Sequence, residues 1–197
     1  MFVNFSMYYF ISVLILVSYL LSQEKFTMIS VPETQGYIGN SSSPNCIRGP
    51  YLQIGTPNSI IIRWRTDINT NSCLHYGTDS ANLDQVIDSL SITTEHEVTL
   101  AGLLPSTKYF YSVETMNEVL STGPDNYFVT APPIGTKKKS RIWILGDSGT
   151  ANDNAASVRD AYYNLSEDIH TDLWVMLGDN AYSNGTDAEY QSAVFNM

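Results

Sequence analysis

Between Ile47 and Thr130 apolar and polar residues alternate in short runs. Ser59 to Arg65 sets Ile60, Ile62 and Trp64 on one face and Arg63 and Arg65 on the other, the two-residue period of a half-buried strand. From Glu95 to Leu100, His96, Val98 and Leu100 share a face; from Lys108 to Glu114, Tyr109, Tyr111 and Val113 do the same. Turn residues at Thr66–Asn71, Gly77–Ser80 and Gly123–Asn126 are expected to break these runs. Seven or so short strands in about 85 residues predict an antiparallel β-sandwich over residues 46–131.

The period changes after the Pro/Gly/Lys linker at residues 132–140. Arg141–Leu145 (RIWIL) and Asp172–Leu177 (DLWVML) are short apolar runs. Between them Val158, Ala161, Tyr162 and Leu165 recur at helical spacing, and Asp187–Asn196 reads as the start of another helix. Strand, helix, strand, helix predicts a right-handed βαβ unit with parallel strands, the first βαβα portion of an α/β domain over residues 141–197.

The chain opens differently. Met1 to Leu21 holds no charged side chain, and Met7–Leu21 is almost wholly apolar. That length suits a secretory signal better than a bilayer span of about 20 residues. No Lys or Arg precedes the run and Leu20-Leu21-Ser22 lacks a small-x-small cleavage site, so an uncleaved anchor stays open. Residues 1–22 are expected to export the protein by either route, to a secreted or extracytoplasmic location, with residues 23–45 as a polar spacer. The membrane enters only through that possible anchor.

Composition narrows the function. Ten Lys and Arg against twenty Asp and Glu give a net charge of −10 over 197 residues. Without a basic stripe such a chain is a poor nucleic-acid binder, because phosphate neutralisation supplies most of that affinity. Two cysteines, Cys46 and Cys73, exclude a disulfide-rich scaffold; one staple and two separate thiols both remain open. His75 and His96 sit inside strand patterns and read as structural.

The candidate chemistry lies at the ends of the two late apolar runs. One ends in Gly146-Asp147-Ser148-Gly149-Thr150, the other in Gly178-Asp179-Asn180-Ala181-Tyr182. Both glycine–aspartate pairs fall at the carboxyl ends of consecutive parallel strands, where open α/β sheets place their sites. Neighbouring strands lie about 4.8 Å apart, so the two carboxylates can converge on metals about 3.5–4 Å apart. Each preceding glycine is expected to permit the sharp exit from its strand. Tyr182, three residues past Asp179, can reach the same point, and phenolate favours Fe(III).

Two resemblances follow from these residues. Trp64 on an early strand, then Gly102-Leu103-Leu104-Pro105-Ser106-Thr107-Lys108-Tyr109, resembles the fibronectin type III module, whose Trp packs in the core and whose Tyr makes a tyrosine corner. Together with G-D-x-G at Gly146–Gly149 and G-D-x-x-Y at Gly178–Tyr182, it resembles the purple acid phosphatases of the calcineurin-like metallophosphoesterases. The resemblance implies a fibronectin III-like sandwich followed by the first part of a metallophosphoesterase domain. It implies a dinuclear centre of Fe(III) with a second divalent metal (Fe, Zn or Mn). Asp147 would bind one metal, Asp179 would bridge both, and Tyr182 would bind the ferric ion. A metal-bound hydroxide would attack a phosphomonoester.

That family also uses a G-N-H-[DE] motif and two later histidine motifs, and none occurs before Met197. His170 cannot replace them: nine residues from Asp179 at about 3.3 Å each place it some 25–30 Å away along the strand. The chain is therefore expected to be a truncated product or fragment, inactive by itself. A GDS-type esterase with Ser148 as nucleophile, and a non-catalytic exported β-module in binding or adhesion, are the competing expectations.

Overall fold

The alternation read from Ser59–Arg65 is the geometry of the core. Ile60, Ile62 and Trp64 are buried, with Trp64 1% exposed, while Arg63 and Arg65 form ion pairs with Glu97 and Glu95 on the neighbouring strand. The computed structural model describes residues 42–167 and 169–197. The apolar segment Met7–Leu21 and most of the spacer, hence the signal or anchor expectation, lie outside the described residues.

Six antiparallel strands build the sandwich among the described residues: β1 Cys46–Gln53, β2 Ser59–Gly77, β3 Gln85–Ala101, β4 Lys108–Glu114, β5 Val119–Ser121 and β6 Tyr127–Val129. The expected break at Thr66–Asn71 is not a break. β2 runs through it, pairing with β1 from Gln53↔Ile61 to Cys46↔Thr66 and then with β4 from Cys73↔Glu114 to Gly77↔Phe110. β3 follows it on the other edge throughout, with register shifts around Thr70. Bulges of this kind bend and twist a strand without ending it. Two long strands thus serve both layers, so fewer strands are needed than the turn residues predicted. Between the layers Ile62, Trp64, Leu74, Leu100, Val113 and Phe128 belong to one apolar cluster.

The tyrosine corner is present: Tyr109 is buried and its Oη accepts from the Leu104 amide at 3.0 Å. His96 is structural. Its ring stacks on Trp64 with centroids 4.8 Å apart, and its nitrogens meet Thr66 Oγ1 at 2.9 Å and Ser72 Oγ at 2.8 Å. Because the Thr66 hydroxyl donates to the Ile68 carbonyl, Nε2 is the donating nitrogen and Nδ1 accepts from Ser72. Cys46 and Cys73 are both free thiols.

Beyond the linker, β7 Ile142–Leu145 and β8 Leu173–Met176 form a parallel pair flanking helix α1, Asp153–Ser166. Asn152 caps α1, its side chain accepting from the Asn154 and Ala155 amides. The expected apolar stripe packs only in part: Tyr162 is half-buried, while Val158 and Leu165 are 60% and 80% exposed. Tyr162 stacks on Trp143 with centroids 4.2 Å apart, and Arg141 donates to the Ser166 carbonyl at 3.1 Å. One aromatic stack and a held helix end set the rotation of α1, which leaves Leu165 outward and Val158 at the mouth of a cleft.

The last helical segment has nearly the expected span but a different type: α2 covers Asp187–Tyr190 and passes directly into a π-helical turn, Gln191–Phe195. It is seated on the sandwich. The Asp187 carboxylate takes two bonds from Arg65, at 2.6 and 3.0 Å, and one from Arg48 at 3.0 Å, which hold it well below the usual carboxylate range. Arg48 also donates to Gln191 Oε1 at 2.6 Å and lies over the Phe195 ring.

Candidate metal centre

In the parallel register Trp143 faces Trp174 and Leu145 faces Met176, so both chains leave the sheet side by side. Pairing continues past the strands, with the Leu177 amide donating to Leu145 O at 2.9 Å and the Asp147 amide to Gly178 O at 3.1 Å. The turn itself differs from expectation. Gly178 has a φ of 123°, but Gly146 has no positive φ; the residues in the left-handed region are Asp147 at 58° and Asp179 at 53°. Aspartate tolerates that region because its short polar side chain bonds locally. Such backbone costs on the order of 1–3 kcal/mol per residue and clusters at functional sites.

Gly149 has a different task. A Cβ there would meet only backbone atoms of the second loop, at 2.7 Å from Asp179 O and Asn180 C. The close approach is stitched by the Gly149 amide to Asp179 O and the Tyr182 amide to Gly149 O, both 2.9 Å. Glu189 fixes the far side of that loop. Its carboxylate accepts from the amides of Ser183 at 2.7 Å and Thr186 at 2.8 Å, and Thr186 caps α2 in return.

The structure brings all three sequence-predicted residues together. Tyr182 Oη bonds to Asp147 Oδ1 and, at 2.9 Å, to Asp179 Oδ2. The two carboxylates, Asp147 foremost, push the phenol above its ordinary pKa and keep it protonated. Among the described residues neither Asp147 nor Asp179 pairs with Lys or Arg. Two aspartates and a phenol on one point, uncompensated, suit a hard cation. Two further oxygens beside them, Asn180 Oδ1 and Ser148 Oγ, are buried without a hydrogen-bond partner. The donor set therefore fits a metal.

No histidine reaches the centre. His75 and His96 lie in the sandwich, and His170, on the amino side of β8, packs against Tyr127. Among the described residues no histidine stands beside Ser148 to serve as the base of an esterase. A cleft of about 420 Å³ opens beside Asp147, walled by Trp143, Trp174, Val158 and Val194. Sequence reasoning missed Asn180, which carries no signal beyond following Asp179. It also missed Glu189, although Thr186-x-x-Glu189 is a readable capping signature.

Comparison with known proteins agrees with this architecture. Residues 47–130 match the family model of the purple acid phosphatase N-terminal domain. Over 75% of the chain the fold is similar to the solved structure of PhoD, with a TM-score of 0.53 at 16% identity. The chain spans 30% of the length of that structure. Smaller overlaps occur with a fibronectin type III domain derived from the human KIAA0970 protein (TM-score 0.35, 13% identity, 48% of this chain and 79% of that one). The sensor domain of the anti-sigma factor RsgI4 from Pseudobacteroides cellulosolvens gives 0.34 at 20% identity, over 49% and 95%. No curated protein matches the chain in sequence.

Proposed function

We propose that the chain carries one side of the dinuclear centre of a metal-dependent phosphoester hydrolase of the acid phosphatase type, exported from the cytoplasm and acting on phosphomonoesters. The observation that carries this reading is the meeting of Tyr182 Oη with both Asp147 and Asp179 at the carboxyl ends of two adjacent parallel strands. The match of residues 47–130 to a phosphatase N-terminal domain supports it independently.

Asp147 would hold one cation, Asp179 would bridge two, and Tyr182 would serve a ferric ion, with Fe, Zn or Mn as its divalent neighbour. Bound there, the metals would supply an activated water and neutralise charge developing on the phosphoryl group. The chain's own contribution is positional. Left-handed turns aim both carboxylates off the sheet, Gly149 sets the spacing between their loops, and Glu189 holds the loop that delivers Tyr182.

The test is ferric loading of the purified chain, with colour rather than turnover as the readout because no histidine lines the centre. Visible phenolate-to-iron absorption is expected, with its loss in Tyr182→Phe and loss of iron retention in Asp179→Asn. Colourless ferric protein, or colour that survives Tyr182→Phe, overturns the reading.

A further inference from the structure

The outer face of the sandwich carries a second constellation, made by strand register rather than by loops. Cys73 and His75 are two apart on β2 and so point to the same side, opposite to the core residue Leu74, with Cys73 itself buried beneath the half-exposed His75. Glu114 on β4 is the direct cross-strand partner of Cys73, and Ser112 is the partner of His75. On the other edge of β2, Asp88 of β3 faces Cys73. Directly paired residues of antiparallel strands share a face. Asp88, Cys73 and Glu114 therefore form one row, with His75 and Ser112 in the next.

Within this patch the Cys73 thiol, a His75 ring nitrogen and a Glu114 carboxylate oxygen lie within 4.8 Å of one another. His75 Nε2 is 3.9 Å from Glu114 Oε2. Glu114 is already oriented: Ser112 Oγ donates to its Oε1 at 2.6 Å, leaving Oε2 toward the histidine. Ser112 is itself buried. A carboxylate fixed by a buried hydroxyl is how outer-shell groups prepare a ligand. Among the described residues no Lys or Arg pairs with Glu114 or Asp88, so the patch has negative charge without a protein cation.

We propose that Cys73, His75 and Glu114 bind a borderline divalent cation, Zn²⁺, on the sandwich face, independently of the aspartate centre. Sulfur, imidazole nitrogen and carboxylate oxygen together select Zn²⁺ over Mg²⁺ or Ca²⁺. Bonds of about 2.0–2.3 Å in a tetrahedron need donors about 3.3–3.8 Å apart, so contraction by about 1 Å through side-chain rotation closes the site. His75, with a side chain 39% exposed, leaves the fourth position open to water.

The probe is Co²⁺ titrated into the full chain under reducing conditions. One equivalent should produce a sulfur-to-cobalt charge-transfer band, which oxygen ligands at the other centre cannot give, and Zn²⁺ should displace it. Cys73→Ser should abolish the band and His75→Gln should weaken binding, while Ser112→Ala weakens it by about 10–100-fold. Cys46→Ser and Asp179→Asn should leave it intact. Zn²⁺ should also slow alkylation of Cys73 in the unmutated protein, a readout that needs no variant to fold. Absence of the band at saturating Co²⁺, its persistence in Cys73→Ser, or alkylation of Cys73 indifferent to Zn²⁺ overturns the proposal.

Discussion

Gly149→Ala tests the candidate centre where two loops leave no room. The added methyl would fall against the backbone of Asp179, Asn180 and Ala181, at 2.7 Å from two of their atoms. Backbone cannot rotate aside as a side chain does, so the loops must part. Overpacking of this kind costs about 1–3 kcal/mol. Parting also strains the two 2.9 Å bonds between Gly149 and the Asp179 and Tyr182 backbones, each worth about 0.5–1.5 kcal/mol. The sum is about 2–5 kcal/mol, since strain and bond loss partly relieve each other. Gly146→Ala is the internal control. Its Cβ would meet Leu177 Cβ at an ordinary 3.5 Å and its φ is not positive, so a change within about 0.5 kcal/mol is expected. Urea unfolding followed by tryptophan fluorescence reads both variants, because Trp143 and Trp174 stack across β7 and β8 with centroids 5.5 Å apart. Ferric colour should fade with Gly149→Ala and persist with Gly146→Ala. Equal midpoints for the two variants would refute the close approach and the spacing argument built on it.

Trp64→Ala should destabilise the sandwich by about 3–5 kcal/mol, the range for a large buried aromatic, and an unchanged urea midpoint would count against its place in the core. Burial holds the His96 imidazole below its ordinary pKa, so the unfolded chain binds the extra proton. Stability should be full above about pH 6.5 and fall as pH drops from there toward the lower folded value; His96→Gln should flatten that limb in thermal melts. Asp187, held low by Arg65 first and Arg48 second, should contribute stability above about pH 4 that is lost as pH falls through its lower folded value. Asp187→Asn should erase that acid limb, and an identical acid profile would show that the docking is dispensable.

The sandwich was largely legible because its signal is local and repeated. Alternation in Ser59–Arg65, Glu95–Leu100 and Lys108–Glu114 named the inward residues, and burial of Trp64, Val98, Leu100, Tyr109 and Tyr111 agrees with each. Strand continuity was not legible. Asp67, Asn69 and Asn71 look like a turn, yet they sit on a bulged stretch whose polar side chains face solvent or cap neighbours, as Asn71 does for the Met116 amide at 2.9 Å. Propensity reports exposure there, and exposure on a strand corner looks the same as exposure in a loop. The packed face of α1 was legible only in part. Helical spacing named Tyr162 together with Val158 and Leu165, but the sheet beneath offers the Trp143 ring, and a ring selects Tyr162 over the two aliphatic residues.

At the candidate centre, glycine–aspartate repetition at two strand ends was enough to bring Asp147, Asp179 and Tyr182 to one point, because strand register does the rest. What repetition cannot carry is the division of labour inside each motif. The left-handed turn belongs to the aspartates, and the tight contact belongs to Gly149, a distinction set by a neighbouring loop rather than by the residue type. The seating of α2 is further still from local pattern. Asp187 meets Arg65 across 122 residues and its carbonyl meets Arg48 across 139, and ion pairs so remote leave no periodicity to read. Yet that seating acts on the site. Glu189, two residues on from Asp187 in the same short helix, anchors the amides that follow Tyr182, so the sandwich reaches the phenol through α2. A loosened Asp187 contact should therefore register in the ferric colour of Tyr182 as well as in stability, linking the two halves of the chain through one short helix.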